Sequence, residues 1–198
     1  MDEAGRGPLA GPVVAAAVCF PKALLEKLLE GSFSTQDHYL TQVQDSKKLS
    51  PQKRKKIFLA LQADTRVLKA VGVVHEQTID QVNIYQATLL AMKQAISQIT
   101  PPSDHILVDG HPIPHASFSQ QGIVQGDQKS LSIAAASIIA KVFRDNIMMH
   151  YDLKFPQYHF RAHKGYGTED HLKQIAQHGP CPIHRRSFAP FRALHPKE

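Results

Sequence analysis

Apolar positions along the chain fall into two patterns, short unbroken runs and longer helical repeats. Residues 13–20 form an unbroken run, which predicts a strand covered on both faces. Residues 21–30 are amphipathic and predict a short helix. The polar stretch 31–44 predicts an irregular surface insertion. Ser50-Pro51 places an N-cap residue before a proline at the first helical position. The helix that follows runs to about Asp64, with Ile57, Phe58 and Leu61 facing inward. Residues 67–74 alternate as a strand. Residues 79–83 lead into a helix over 84–99, which Pro101-Pro102 stop. Ile106-Leu107-Val108 is a short strand that ends in Asp109-Gly110. Residues 122–125 form another, ending in Gly126-Asp127. Ser130 or Ser132 caps a long helix reaching about Asp152. Thr168 caps the last helix, with Glu169 and Asp170 in its first turn, where they complement the dipole. Gly179-Pro180 closes it, and the Pro- and Arg-rich tail beyond is expected to wrap over the surface. Strands alternating with helices predict an α/β domain.

Composition narrows the class. With 198 residues, 42% of them hydrophobic, the chain can bury one domain's core. The net charge of +6 leans toward a polyanionic partner. The excess is uneven: from residue 154 onward, Lys154, Arg161, Lys164, Lys173, Arg185, Arg186, Arg192 and Lys197 face only Glu169, Asp170 and Glu198. Such a basic C-terminal segment suits phosphate contacts. Cys19 and Cys181 form neither a CxxC pair nor a zinc pattern, as in a reducing, cytoplasmic protein. No apolar run reaches membrane-spanning length. Asp2 and Glu3 stand where a signal peptide would be positive.

The candidate chemistry is carried by acids. Asp2-Glu3, Asp109 and Asp127 all fall at strand ends or edge turns, where α/β sheets build their sites. Gathered together they would repel unless a cation neutralised them, and hard oxygen donors suit Mg²⁺ or Mn²⁺. Two such ions can hold the attacking water and the leaving oxygen of a phosphodiester. Asp109, before Gly110, and Asp127, after Gly126, each also read as an ordinary turn residue. Gly5-Arg6-Gly7 is either a tight turn or a place where backbone N–H groups reach a sugar or phosphate. Tyr166, held between Gly165 and Gly167, either stacks on a nucleotide or packs on the domain edge. Lys47, in Asp45-Ser46-Lys47-Lys48, is a candidate phosphate contact.

These residues sit in seven stretches: DEAGRGPLAGPVVAAAV (2–18), DSKKLS (45–50), ID-x-x-NI-x-x-AT (79–88), LVDG (107–110), GD-x-KS-x-SIAAASIIAKV-x-RD (126–145), HKGYGT (163–168) and HRRSF (184–188). In this order they resemble ribonuclease HII, the bacterial type 2 ribonuclease H. The resemblance implies an α/β fold with a ribonuclease H-like mixed sheet flanked by helices. It divides the chain into a catalytic domain (1–153) and a basic C-terminal helical, substrate-binding extension (154–198). It assigns catalysis and metal binding to Asp2, Glu3, Asp109 and Asp127. It assigns substrate binding to Gly5, Arg6, Gly7, Lys47 and Tyr166, with Mn²⁺ or Mg²⁺ as cofactor. It implies a monomer without membrane contact that cuts RNA–DNA hybrids, and DNA duplexes with single embedded ribonucleotides. The cut lies 5′ of the ribonucleotide, is made by metal-activated water and leaves 3′-hydroxyl and 5′-phosphate ends. The family carries an apolar strand before its Asp-Glu pair. Here only Met1 precedes Asp2, so the first strand is expected to be missing or cut short. The alternative function is that of a catalytically impaired nucleic-acid-binding remnant.

Overall fold

The unbroken apolar run forms β2 (Val13–Cys19), and both of its faces are covered. A computed structural model of the chain describes residues 1–32, 34–44, 46 and 48–191. On one face of β2, Val14, Ala16 and Val18 meet α2 (Pro51–Ala63) and α4 (Leu131–Lys154). On the other, Val13, Ala15 and Ala17 meet α3 (Glu76–Ser97). Two covered faces leave no room for polar alternation, which is why the strand reads as a continuous apolar run.

β2 pairs antiparallel with β1 (Asp2–Ala4) on one side and with β3 (Leu68–Val74) on the other. β4 (Ile106–Asp109) and β5 (Gln120–Ile123) form a parallel pair. Met1 joins the two sets: its ammonium donates to the Leu107 carbonyl at 2.7 Å, and the Asp109 N–H donates to the Met1 carbonyl at 3.0 Å. The result is a mixed sheet between helices, the expected fold class. The first strand is short, three residues, yet fully laddered, with Asp2 opposite Ala16 and Ala4 opposite Val14. α3 approaches β3 so closely that a Cβ on Gly72 would lie 2.0 Å from the Ala91 carbonyl oxygen.

α1 (Lys22–Leu29) and α2 form as expected, and the Ser50 side chain accepts the Lys53 N–H at 3.3 Å. Ser130, not Ser132, caps α4. Four expectations change. The insertion 31–44 is not irregular: it holds a 3₁₀ helix (Thr35–Gln42) whose Leu40 enters the core and whose Asp37 pairs with Arg66 at 2.6 Å. α3 begins earlier than expected and breaks at Asn83 (φ 69°), whose side chain accepts the N–H groups of Tyr85 and Gln86 and restarts the helix. β5 lies two residues earlier than expected, because it must pair with β4 and Gln125 turns left-handed after it. Up to Phe191 the tail does not merely wrap the surface; Arg192 and Lys197 lie outside the described residues. Cys181, Ile183 and Phe191 pack with Tyr158, Phe160 of α5 (Phe160–His163) and Ile175 of α6 (Glu169–His178) in a core of their own. Among the described residues no helix is long and apolar enough to cross a membrane.

Candidate active site

β1 delivers Asp2 and Glu3, and β4 delivers Asp109 beside them. Asp2 is 6% exposed, and its carboxylate takes hydrogen bonds from the Ser137 hydroxyl of α4 and from the Glu3 N–H at 2.6 Å. Ser137 in turn shares a 2.8 Å hydrogen bond with the buried Ser46 hydroxyl. Burial, then the charges of Glu3 and Asp109, push the Asp2 carboxyl up to about 7. Burial also raises Glu3; Arg6 opposes this through an ion pair at 3.4 Å, while Asp109 adds to the rise. Two carboxyls that each feel Asp109 form one repelling group, in which the charged forms are costly.

Gly126 orients Asp109: its N–H donates to Asp109 Oδ1 at 2.7 Å. A Cβ there would stand 2.5 Å from Ile133 Cδ1 and 3.3 Å from that same oxygen, so any side chain would push Ile133 aside and crowd the contact. Asp127 follows directly. It lies on a one-turn 3₁₀ helix (Gly126–Gln128) rather than at a strand end, and it is buried. It lines a cleft with Lys48, Gln128 and Lys129. Among the described residues no three His, Cys, Asp or Glu side chains form a ready-made metal cluster. The chemistry of the donor set still suits a hard divalent cation, because two carboxyls raised by burial and by the charge of Asp109 gain most from a neutralising charge.

The glycine-rich loop 5–12 is held from beneath by two fully buried guanidinium groups, Arg144 and Arg185. Arg144 donates to the carbonyls of Ala10, Pro12 and Lys164. Arg185 donates to those of Gly5, Arg6, Pro8 and Gly11. Gly5 (φ +97°) is glycine because a Cβ would lie 2.1 Å from Arg144 Nε. Arg185 belongs to the tail expected to meet phosphate; burial instead removes it from solvent and depresses its pKa to about 9.

Arg6 and Gly7 are exposed at the surface of this loop. A Cβ on Gly7 would lie 3.9 Å from Tyr166 Cε1, so the two Gly-flanked elements meet. The Tyr166 ring is 41% exposed, with Lys141 Nζ 5.7 Å and Arg144 Cζ 5.9 Å from its centroid. An open aromatic face backed by cations suits a nucleotide sugar or base. Lys47 lies outside the described residues.

Arg144, Arg185, Ser137 and Ser46 were not singled out from sequence. One signal was present. Ile133, Ser137, Ala140, Arg144 and Met148 repeat at helical spacing, and all are buried. An arginine on that stripe needs internal acceptors.

The ribonuclease HII family model matches residues 1–191. Ribonuclease HII of Geotalea daltonii is 50% identical over 189 residues, covering 96% of this chain and 81% of the relative. Ribonuclease HII of Geobacillus kaustophilus is 47% identical over 194 residues, covering 98% and 68%. The crystal structure of ribonuclease H2 from Pyrococcus horikoshii OT3 superposes with a TM-score of 0.72 at 26% identity, covering 98% of this chain and 94% of that one.

Proposed function

The chain belongs to the ribonuclease HII family, whose members are divalent-metal-dependent endoribonucleases acting on nucleic acid, and we propose that it hydrolyses the phosphodiester 5′ of ribonucleotides. The substrates are RNA–DNA hybrids and single ribonucleotides embedded in duplex DNA, and the products carry 3′-hydroxyl and 5′-phosphate ends. The observation that carries this reading is the meeting of three elements. Burial and the charge of Asp109 raise the carboxyls of both Asp2 and Glu3, the loop carrying the exposed Arg6 and Gly7 follows β1 directly, and Gly7 faces Tyr166.

Asp2, Glu3, Asp109 and Asp127 would hold the Mg²⁺ or Mn²⁺, which would supply neutralising charge to the carboxyls and Lewis-acid chemistry at the scissile phosphate. The chain's own residues do the rest. The backbone at residues 5–7 meets the 2′-hydroxyl, the only group that distinguishes a ribonucleotide from its DNA neighbours. A site that hydrogen-bonds a hydroxyl rejects the analogue lacking it, because its own polar groups are then left unpaired. Tyr166 holds the adjoining sugar. Lys47, Lys48 and Lys129 suit phosphates, which position the duplex without reading its sequence.

The test is incision of a DNA duplex carrying one ribonucleotide, with Mg²⁺ and with Mn²⁺, the ends mapped on a denaturing gel. A single cut 5′ of the ribonucleotide is expected. Asp109→Asn should abolish incision and keep binding. Binding without incision by the folded wild-type chain in either metal would replace this reading with that of an impaired nucleic-acid-binding protein.

A further inference from the structure

Arg144 and Arg185 together make seven hydrogen bonds, and every acceptor is a backbone carbonyl. Among the described residues neither guanidinium pairs with a carboxylate. Two buried cations that stand against each other are costly, and Arg144's charge adds to the depression of Arg185. Six of the seven acceptors lie in the glycine-rich loop and the seventh is the Lys164 carbonyl, two residues before Tyr166. The consequence lies in the peptide planes. In a trans peptide the carbonyl of one residue and the N–H of the next point in opposite directions. The Gly5 carbonyl accepts Arg185 Nη2 at 2.6 Å, so the Arg6 N–H points away from Arg185. The Arg6 carbonyl accepts Nη1 at 3.0 Å, so the Gly7 N–H points away as well.

The rest of the loop shows the same rule where the outcome is visible. The Pro8 carbonyl also accepts Nη1, and the Leu9 N–H opposite it donates to Gly165. The Ala10 carbonyl accepts Arg144, and the Gly11 N–H opposite it donates to Ile183. Pro8 and Pro12 have no N–H to place. Among the described residues no group accepts the N–H of Arg6 or Gly7, and both residues are exposed. The loop is thus sorted into a carbonyl side facing two buried guanidinium groups and a free N–H pair facing outward beside Tyr166.

We propose that Arg185, assisted by Arg144, is a positioning residue for substrate discrimination: its fork draws the Gly5 and Arg6 carbonyls inward and so presents the Arg6 and Gly7 N–H groups to the ribonucleotide. Recognition at the N-terminal end of the chain is then set by a side chain from its C-terminal segment. The inference rests on the reading that residues 5–7 meet the 2′-hydroxyl. Lysine cannot replace Arg185, because a single ammonium cannot satisfy four carbonyls in a fixed fork.

Two measurements test it, both on the full chain. The first is amide hydrogen exchange of the wild type by NMR. Arg6 and Gly7 should exchange freely while Leu9 and Gly11 are protected, and a duplex with one ribonucleotide should protect Arg6 and Gly7 where an all-DNA duplex does not. Slow exchange at Arg6 and Gly7 in the free protein overturns the proposal. The second compares Kd for the two duplexes with Ca²⁺ replacing the activating metal. Arg185→Lys should lose at least tenfold of the wild-type preference for the ribonucleotide, whereas a change at the exposed Lys22, Lys22→Ala, keeps it. A wild type with no preference refutes the reading of residues 5–7. A wild-type preference that survives in folded Arg185→Lys refutes the positioning role alone. If Arg185→Lys does not fold, the exchange measurement decides.

Discussion

His171 and His184 share a 3.0 Å hydrogen bond, Nε2 to Nε2, inside the C-terminal core. Their other partners set the tautomers. The Cys181 N–H donates to His184 Nδ1 at 2.9 Å, so His184 carries its proton on Nε2. His171 accepts it and donates from Nδ1 to the Tyr166 carbonyl at 2.9 Å. A further proton on His171 would face the His184 Nε2–H, one on His184 would face the Cys181 N–H with the Cys181 carbonyl 3.3 Å away, and burial depresses both rings to about 4. Unfolded, each titrates near 6.5. The unfolded chain therefore binds more protons between these values, so stability is full above about pH 6.5 and falls as pH drops toward 4. Each ring accounts for about 2 kcal/mol. Urea unfolding at pH 7.5 and pH 5 should show the loss; equal stability would mean that the folded rings accept protons.

Asp2 acts with the opposite sign. Its folded pKa of about 7 lies above the model carboxylate value of 3.8. The metal-free protein is therefore penalised above pH 7, and the penalty is relieved as pH falls from 7 toward 4. Asp2→Asn should stabilise the metal-free protein at pH 8 by about 2 kcal/mol or more, and abolish incision. The same variant should sharpen the acid loss due to the histidines. A stability at pH 8 unchanged by Asp2→Asn would show that the buried carboxylate carries no such cost.

Local pattern predicted what local physics decides. The run at β2, the caps at Ser50 and Thr168, and the acid at the end of β4 all stand where the sequence points. What pattern missed depends on partners distant in the chain. Arg185 looks like a surface phosphate contact until the carbonyls of Gly5, Arg6 and Pro8 are brought to it. Gly5 looks like a turn residue until Arg144 fills the space of its Cβ. Asp127 reads as a strand end because Ile123-Val124 stand shortly before it, but β5 stops at Ile123, where its pairing with β4 ends.

The insertion 31–44 should prove structural. Leu40 is 1% exposed in the main core, and Asp37 is held by Arg66 and by the Ser34 hydroxyl at 2.8 Å. Leu40→Ala should cost about 2–4 kcal/mol, as removal of a buried leucine does. A dispensable surface loop would lose well under 1 kcal/mol. Denaturant midpoints of the two proteins at constant m-value separate these outcomes.

Gly5 and Gly7 should respond to alanine in opposite ways. At Gly5 the added carbon would stand 2.1 Å from Arg144 Nε and 2.8 Å from the Pro12 carbonyl, at φ +97°. Neither neighbour can retreat, because one is a buried guanidinium and the other accepts its hydrogen bond. Gly5→Ala should therefore lose about 3 kcal/mol of stability. At Gly7 the added carbon meets only Tyr166 Cε1, at an ordinary 3.9 Å. Gly7→Ala should leave stability within about 1 kcal/mol yet stand on the exposed face beside the free N–H groups. Its effect should appear as a rise in KM of about tenfold on the ribonucleotide duplex, a loss of about 1.4 kcal/mol in binding. Thermal unfolding and steady-state incision, measured on both variants, give the contrast. If Gly7→Ala cleaves with unchanged kinetics, the exposed backbone at residues 5–7 is not where the sugar is read.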